Sequence, residues 1–394
     1  MEINKIKQIA EKYSNNVLEY RRYLHKHPEL SFNEFNTSEY ITDFLNKNHI
    51  KFKKGIAKTG ILAVIEGSKP GKTIALRADI DALPITEQNN CDYKSENNGV
   101  MHACGHDVHT ASLMGAILIL NEIKSKLSGK VLFVFQPAEE KLPGGAKQML
   151  DEGIFNEYKP DMVIAQHVNP SMKAGTIGFK SGMYMASTDE IYMTVKGKGG
   201  HAAMPNQITD TVLIASHIII ALQQIVSRKA FAAIPTVLSF GKVIANGATN
   251  IIPDEVKIEG TFRTMNEEWR KEALSQIKFI SQNVAKSMGA ECDVNIFNGY
   301  PSLINDNDVT LKAKKLSEQY LGVENVTDMD VRMTAEDFSY FAQVYPSTMY
   351  RIGTSNENNN SQNPLHSATF DIDESVLKYS HGLMAWIAFC LTKD

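Results

Sequence analysis

The sequence predicts an α/β fold: a larger domain on a mostly parallel sheet, interrupted by an inserted ferredoxin-like α+β domain. Three observations predict it. Short apolar runs alternate with helical patterns as far as residue 167. Between 187 and 297 the order becomes β-α-β-β-α-β, a complete small unit in itself. An α/β pattern then resumes at Thr310. The expected division is 1–186 with 298–394 as the larger, discontinuous domain and 187–297 as the insert.

Each element has its own signal. Residues 5–24 read as a helix that Pro28 brings to an end, because proline disfavours helical geometry in the residue before it. A second helix covers 35–47. Strands are expected at 60–66, 73–77, 130–136 and 162–167, with helices over 111–123 and 146–150 between them. That alternation implies a largely parallel sheet, whose sites gather at the carboxyl ends of strands. In the insert, strands are expected at 190–196, 236–243, 255–263 and 291–297, and helices at 210–228 and 267–288. Along 255–263, Val256, Ile258, Gly260 and Phe262 share one face, and Lys257, Glu259, Thr261 and Arg263 the other. A last apolar helix, 376–391, reads as core, and 356–363 as a polar loop.

Bulk properties narrow the function. At 394 residues the chain can bury two cores, and its 43% hydrophobic and 22% charged residues argue against disorder. A net charge of −4, without a Lys/Arg run among aromatics, gives no case for a nucleic-acid partner. Cys91, Cys104, Cys292 and Cys390 are too scattered for a disulfide framework or a CxxC zinc knuckle. The first residues lack the apolar run of a signal peptide. The longest apolar run, 214–222, is far too short to span a membrane. A soluble, cytoplasmic protein with no membrane partner is expected.

Several segments carry residues suited to chemistry. Cys104-Gly105-His106 places a thiol and an imidazole around a residue that lets the backbone turn sharply. It reads equally as a ligand pair or as a buried cysteine beside a turn-capping histidine. Asp79 and Asp81 lie just past an apolar strand, where they can ligate or orient a ligand histidine. Glu139 and Glu140 follow the strand that ends at Gln136-Pro137. Adjacent acids repel, so this pair is either a solvated loop or a site with something positive nearby. His167 closes a strand, and His366 follows the polar loop; each is a metal-capable group or a surface histidine. With Cys104, His106 and Glu140 they would make five ligands, enough for two adjacent cations. In the insert, Gly199-Gly200-His201 is a tight loop, Asn250 lies in a short turn, and the Arg263 fork suits a carboxylate. His25 and His27 read as turn caps near Glu29.

Together these stretches resemble the amidohydrolase branch of the M20 metallopeptidase family, which holds aminoacylases, hippurate hydrolases, auxin-conjugate hydrolases and N-acetyldiaminopimelate deacetylases. The matching segments include residues 22–31, 76–84, 101–109, 136–140 with 144–146, 199–203, 250–253, 334–338 and His366. The resemblance implies Cys104, His106, Glu140, His167 and His366 as ligands to two divalent metal ions, zinc or manganese, with nickel or cobalt also compatible. It implies Glu139 as general base, His201 as oxyanion stabiliser, Asn250 and Arg263 as substrate contacts, and Asp81 as support to the metals. It further implies a small-molecule N-acyl amino acid or dipeptide substrate, and a homodimer or higher oligomer through 187–297.

Overall fold

The computed structural model describes residues 3–356 and 362–393, so part of the loop expected at 356–363 lies outside the described residues. The chain forms two compact units. The first comprises Met1–Gly182, Ile304–Asp330 and Asp337–Asp394; the second comprises Met183–Leu303 and Val331–Glu336.

In the first unit, α1 (Ile3–Lys26) buries Ile6, Ile9, Ala10, Val17 and Leu24, the three-to-four spacing of an amphipathic helix. It is followed by α2 (Phe35–Lys47), then the strands β1 (Lys51–Ile56), β2 (Gly60–Glu66) and β3 (Lys69–Asp79). Next come α3 (His106–Glu122), β4 (Ser128–Gln136), α4 (Gly145–Asp151) and β5 (Met162–Lys173). Helix α3 is apolar almost all round and is buried from His106 to Leu120. Its Gly115 explains how neighbours come so close: a Cβ there would overlap Val17 of α1 and His381 of the helix Ser380–Leu391.

The sheet has eight strands and the expected α/β class. Its centre is parallel: β4, β3, β5 and the strand Ser347–Ser355 run side by side. Its flank is antiparallel, with β1 on β2 and β2 on β4. Register decides where chemistry can occur. Asp79 pairs with Gln136, and Arg77 with Ala165, so the carboxyl ends of β3 and β4 finish together, level with His167 partway along β5.

The second unit has the β-α-β-β-α-β order: β6 (Asp189–Lys196), α5 (Thr211–Gln224), β7 (Thr236–Ile244), β8 (Glu255–Thr264), α6 (Glu267–Ser287) and β9 (Glu291–Asn298). The antiparallel sheet runs β7-β8-β6-β9. One face, with Ile191, Met193, Val195, Val256, Ile258 and Phe262, packs on Ile214, Ile218 and Leu222 of α5 and Ala273 and Ile277 of α6. Both helices are capped from the preceding residue: Leu213 N–H donates to Asp210, and Trp269 N–H to Asn266.

The helical stretch Thr211–Lys229, 19 residues, extends beyond the apolar run 214–222 and by length and composition alone could cross a membrane. Its Ile214, Ala215, Ile218, Leu222 and Ile225 are instead spent on the core of this unit.

Candidate metal centre

The turn Cys104-Gly105-His106 sits at the N-terminus of α3. Gly105 has φ +83°, and a Cβ there would overlap the Val168 side chain. Only glycine lets the turn approach β5 so closely. His106 Nδ1 lies 2.9 Å from the Asp81 carbonyl oxygen. A carbonyl only accepts, so Nδ1 carries a proton and Nε2 is the nitrogen left to ligate. That Nε2 is buried with no hydrogen-bond partner among the described residues. His167 repeats the pattern: Nδ1 donates to the Val168 carbonyl at 2.8 Å, and Nε2 is 3.6 Å from Cys104 Sγ.

Two overlapping triads result. Candidate ligand atoms of Cys104, His106 and His167 lie within 4.8 Å of one another, and so do those of Cys104, Glu140 and His366. Cys104 belongs to both. Glu139 and Glu140 also form such a group with His106. The five candidates therefore come together in one place, and a thiol, imidazoles and carboxylates at this separation are a donor set that fits two divalent cations. The orphaned, buried His106 Nε2 is the clearest sign of that fit.

Buried carboxylates hold this set in place. Asp81 Oδ1 lies 3.2 Å from His106 Nδ1, while its Oδ2 accepts from Ser31 Oγ at 2.7 Å and Glu140 N–H at 3.0 Å. Asp79 accepts from Arg77 at 2.6 Å and faces His109 Nδ1 at 2.6 Å. Val168 N–H donates to His109 Nε2 at 2.9 Å. Both nitrogens of His109 are engaged, so it positions β5 beside His167 and does not ligate. Asp337 accepts from Arg77, Gln136 and the Ala146 N–H, fixing the end of β4.

Electrostatics follow from burial and neighbours. Burial pushes the Cys104 thiol up. Burial, and then the Arg351 charge, hold His167 well below its usual value, in the neutral form that ligates. Hydrogen bonding to Cys104 and Glu140 pushes His366 up to about 10. Burial disfavours a charge on His106, but Asp79 and Cys104 raise it well above the ordinary range. Ligation removes these protons. The free site holds protons that the loaded site cannot, so cation affinity should rise with pH through the neutral range. Zinc titrated into stripped protein, in buffers of differing ionisation enthalpy, should show net proton release; uptake without release contradicts the ligand set.

The histidines beside Glu29 are not both turn caps. His25 is fully buried, with Nδ1 2.8 Å from Asp107 Oδ2 and Nε2 3.2 Å from Glu87. Arg21, also fully buried, donates to the same Asp107 oxygen at 2.9 Å. This network ties α1 to the first turn of α3. Glu29 itself accepts from the Asn36 and Thr37 N–H groups at the start of α2.

The remaining candidates lie in the second unit. His201 and Asn250 are neighbours: His201 pairs with Ile251, and Ala202 N–H donates to the Asn250 carbonyl. Ala203 N–H donates to His201 Nδ1 at 3.1 Å, which leaves the proton on an exposed Nε2. Arg263 stands apart from them on the sheet face opposite the helices. Its Nη1 is buried with no hydrogen-bond partner among the described residues.

Comparison with known proteins decides the family. Residues 75–387 match the model of peptidase family M20/M25/M40. The chain belongs to this family. This M20 chain is 36% identical over 389 residues to thermostable carboxypeptidase 1 of Saccharolobus solfataricus, covering 97% of the chain and 98% of the relative. It is 37% identical over 377 residues to an N-acetylcysteine deacetylase of Bacillus subtilis, covering 95% and 97%. Among solved structures, the YXEP protein of Bacillus subtilis, described as a dinuclear metal binding peptidase from the M20 family, superposes with a TM-score of 0.83. That pair shares 33% identity over 97% of this chain and 99% of the other. The M20 chain is thus a hydrolase whose site is built to take two divalent cations.

Proposed function

We propose that this M20 enzyme hydrolyses the amide bond of N-acyl-L-amino acids to a carboxylic acid and a free amino acid. In this reading Cys104, His106, Glu140, His167 and His366 hold two divalent cations. The observation that carries it is the sharing of Cys104 by two triads beside the Glu139-Glu140 turn. Two cations there supply Lewis acidity, which polarises a carbonyl and acidifies water. Glu139 receives the proton of the attacking water and returns it to the leaving amine. His201 offers its Nε2–H to the carbonyl oxygen as negative charge develops. Arg263, with an unmatched Nη1, and Asn250 contact the substrate, the arginine taking its carboxylate. The thiol favours zinc; the imidazoles and carboxylates also suit manganese, nickel or cobalt.

Residues 187–297 serve as a lid and as the homodimer contact. Val212, Leu213 and Ile220 expose 37%, 49% and 70% of their surface on α5, an apolar outer face suited to a second copy. Four free cysteines fit a reducing cytoplasm.

A second reading, a carboxypeptidase or dipeptidase, draws on one finding. The carboxypeptidases match at 36% identity, level with the 37% of the deacetylases. A screen of N-acetyl, N-benzoyl and long-chain acyl amino acids, N-acetyldiaminopimelate and dipeptides, with each of the four metals, separates these substrates. N-acyl amino acids should turn over fastest, and turnover of dipeptides alone would reverse the ranking.

His201→Ala should lower kcat by about 10²- to 10³-fold, the scale of losing one oxyanion donor. Metal content should stay at the parent level, because His201 lies outside both triads. A variant that loses cations in step with activity would rule out the oxyanion role.

A further inference from the structure

Glu34 immediately precedes α2 and is fully buried, yet no ion pair involving it occurs among the described residues. Its Oε1 accepts from Phe32 N–H at 3.0 Å and from Ala138 N–H at 2.8 Å; its Oε2 accepts from Thr59 Oγ at 2.7 Å. All three segments turn through left-handed backbone. Phe32 has φ +65°, Ala138 +48°, and Thr59 follows Ala57 at +48° and Lys58 at +75°. Such conformations are unfavourable for residues with a Cβ and persist where surrounding contacts impose them.

Ala138 directly precedes Glu139 and Glu140. On the far side of that turn, Glu140 N–H donates to Asp81 Oδ2 at 3.0 Å, and Gly145 N–H donates to the Ala138 carbonyl at 3.0 Å. Glu34 and Asp81 therefore grip the two ends of the segment that presents Glu139.

We infer that Glu34 is a positioning residue for hydrolysis: its carboxyl group imposes the left-handed turn at Ala138 and thereby aims Glu139. This rests on the reading of Glu139 as general base. Glutamine keeps an acceptor for both N–H groups, and Thr59 can turn its hydroxyl to accept from the amide. Aspartate keeps the acid but is one methylene too short to reach both, and alanine removes the contact.

The test compares Glu34→Gln, Glu34→Asp and Glu34→Ala in the full-length, metal-loaded enzyme with an N-acetyl amino acid. Glu34→Gln should stay within about threefold of the parent kcat. Glu34→Asp and Glu34→Ala should lose about tenfold to a hundredfold, the scale set by misplacing a catalytic group. KM and metal content should not change. Hydrogen exchange at the Ala138 amide should speed up, while amides of β4 stay protected. Parent-like kcat in Glu34→Asp, or in Glu34→Ala where it folds, would overturn the inference. So would a loss matched by lost cations, or failure of both to fold beside a working Glu34→Gln, since the role would then be structural. The two readings fail separately: a fully active Glu139→Gln removes the base, whereas active Glu34 variants beside a silent Glu139→Gln remove only Glu34.

Discussion

Glu139→Gln is expected to lower kcat by about 10²- to 10⁴-fold while cation content stays at the parent level. That is the range attributed to a positioned general acid or base. The substitution is nearly isosteric, so the turn after β4 keeps its shape, and the amide cannot take up the proton of the attacking water. Glu140, the neighbouring acid, remains for the cations. Steady-state kinetics on an N-acetyl amino acid, with metal analysis of the same sample, check both halves. A kcat within tenfold of the parent would remove Glu139 from proton transfer. Loss of cations would recast it as a ligand.

Cys104→Ala should be more damaging than His167→Ala or His366→Ala, because Cys104 belongs to both triads and each of those histidines to one. Removing a residue that merely orients a ligand costs about 10- to 100-fold in metal affinity, and a shared ligand should cost more. The variant should bind fewer cations than the His366→Ala variant, which touches one triad, and should show no measurable turnover. It should still fold, since alanine fills most of the space of a small buried side chain in a tight turn. Parent-like cation content would place Cys104 outside the centre and return it to the role of a buried small hydrophobe.

The sequence made the fold class legible because its signals are local. Helix α2 was placed to the residue, and β2 likewise, since apolar periodicity and flanking polar residues mark both ends. Four of the eight strands of the main sheet escaped: the three-residue strands Ile177–Phe179 and Val326–Asp328, too short for any periodicity to show, together with β1 and Ser347–Ser355. β1, with Lys51, Lys53 and Lys54, is an exposed edge strand without an apolar face. Ser347–Ser355 is buried almost throughout, yet its Ser, Thr and Arg residues break any apolar run. In the centre, the candidate ligands stood out because metal-binding types fell at strand ends and a glycine turn. Of the groups that hold them, Asp79 and Asp81 stood out at the end of a strand, and the others did not. His109 lies three residues beyond His106, a spacing that could have flagged a shared helix face. Arg21, His25 and Asp107 meet only through tertiary packing of α1 on α3, and Glu34 reaches Ala138 across 104 positions. Spacing carries no trace of such contacts, which is why His25 read as a turn cap.

The most direct test of the account is turnover as a function of cation added to stripped protein. Protein depleted with a chelator and verified by elemental analysis should be silent toward N-acetyl amino acids. Activity should return on adding zinc or manganese and reach its plateau as the bound cation reaches two per chain. Full turnover by protein verified to hold no metal would contradict the binuclear mechanism outright.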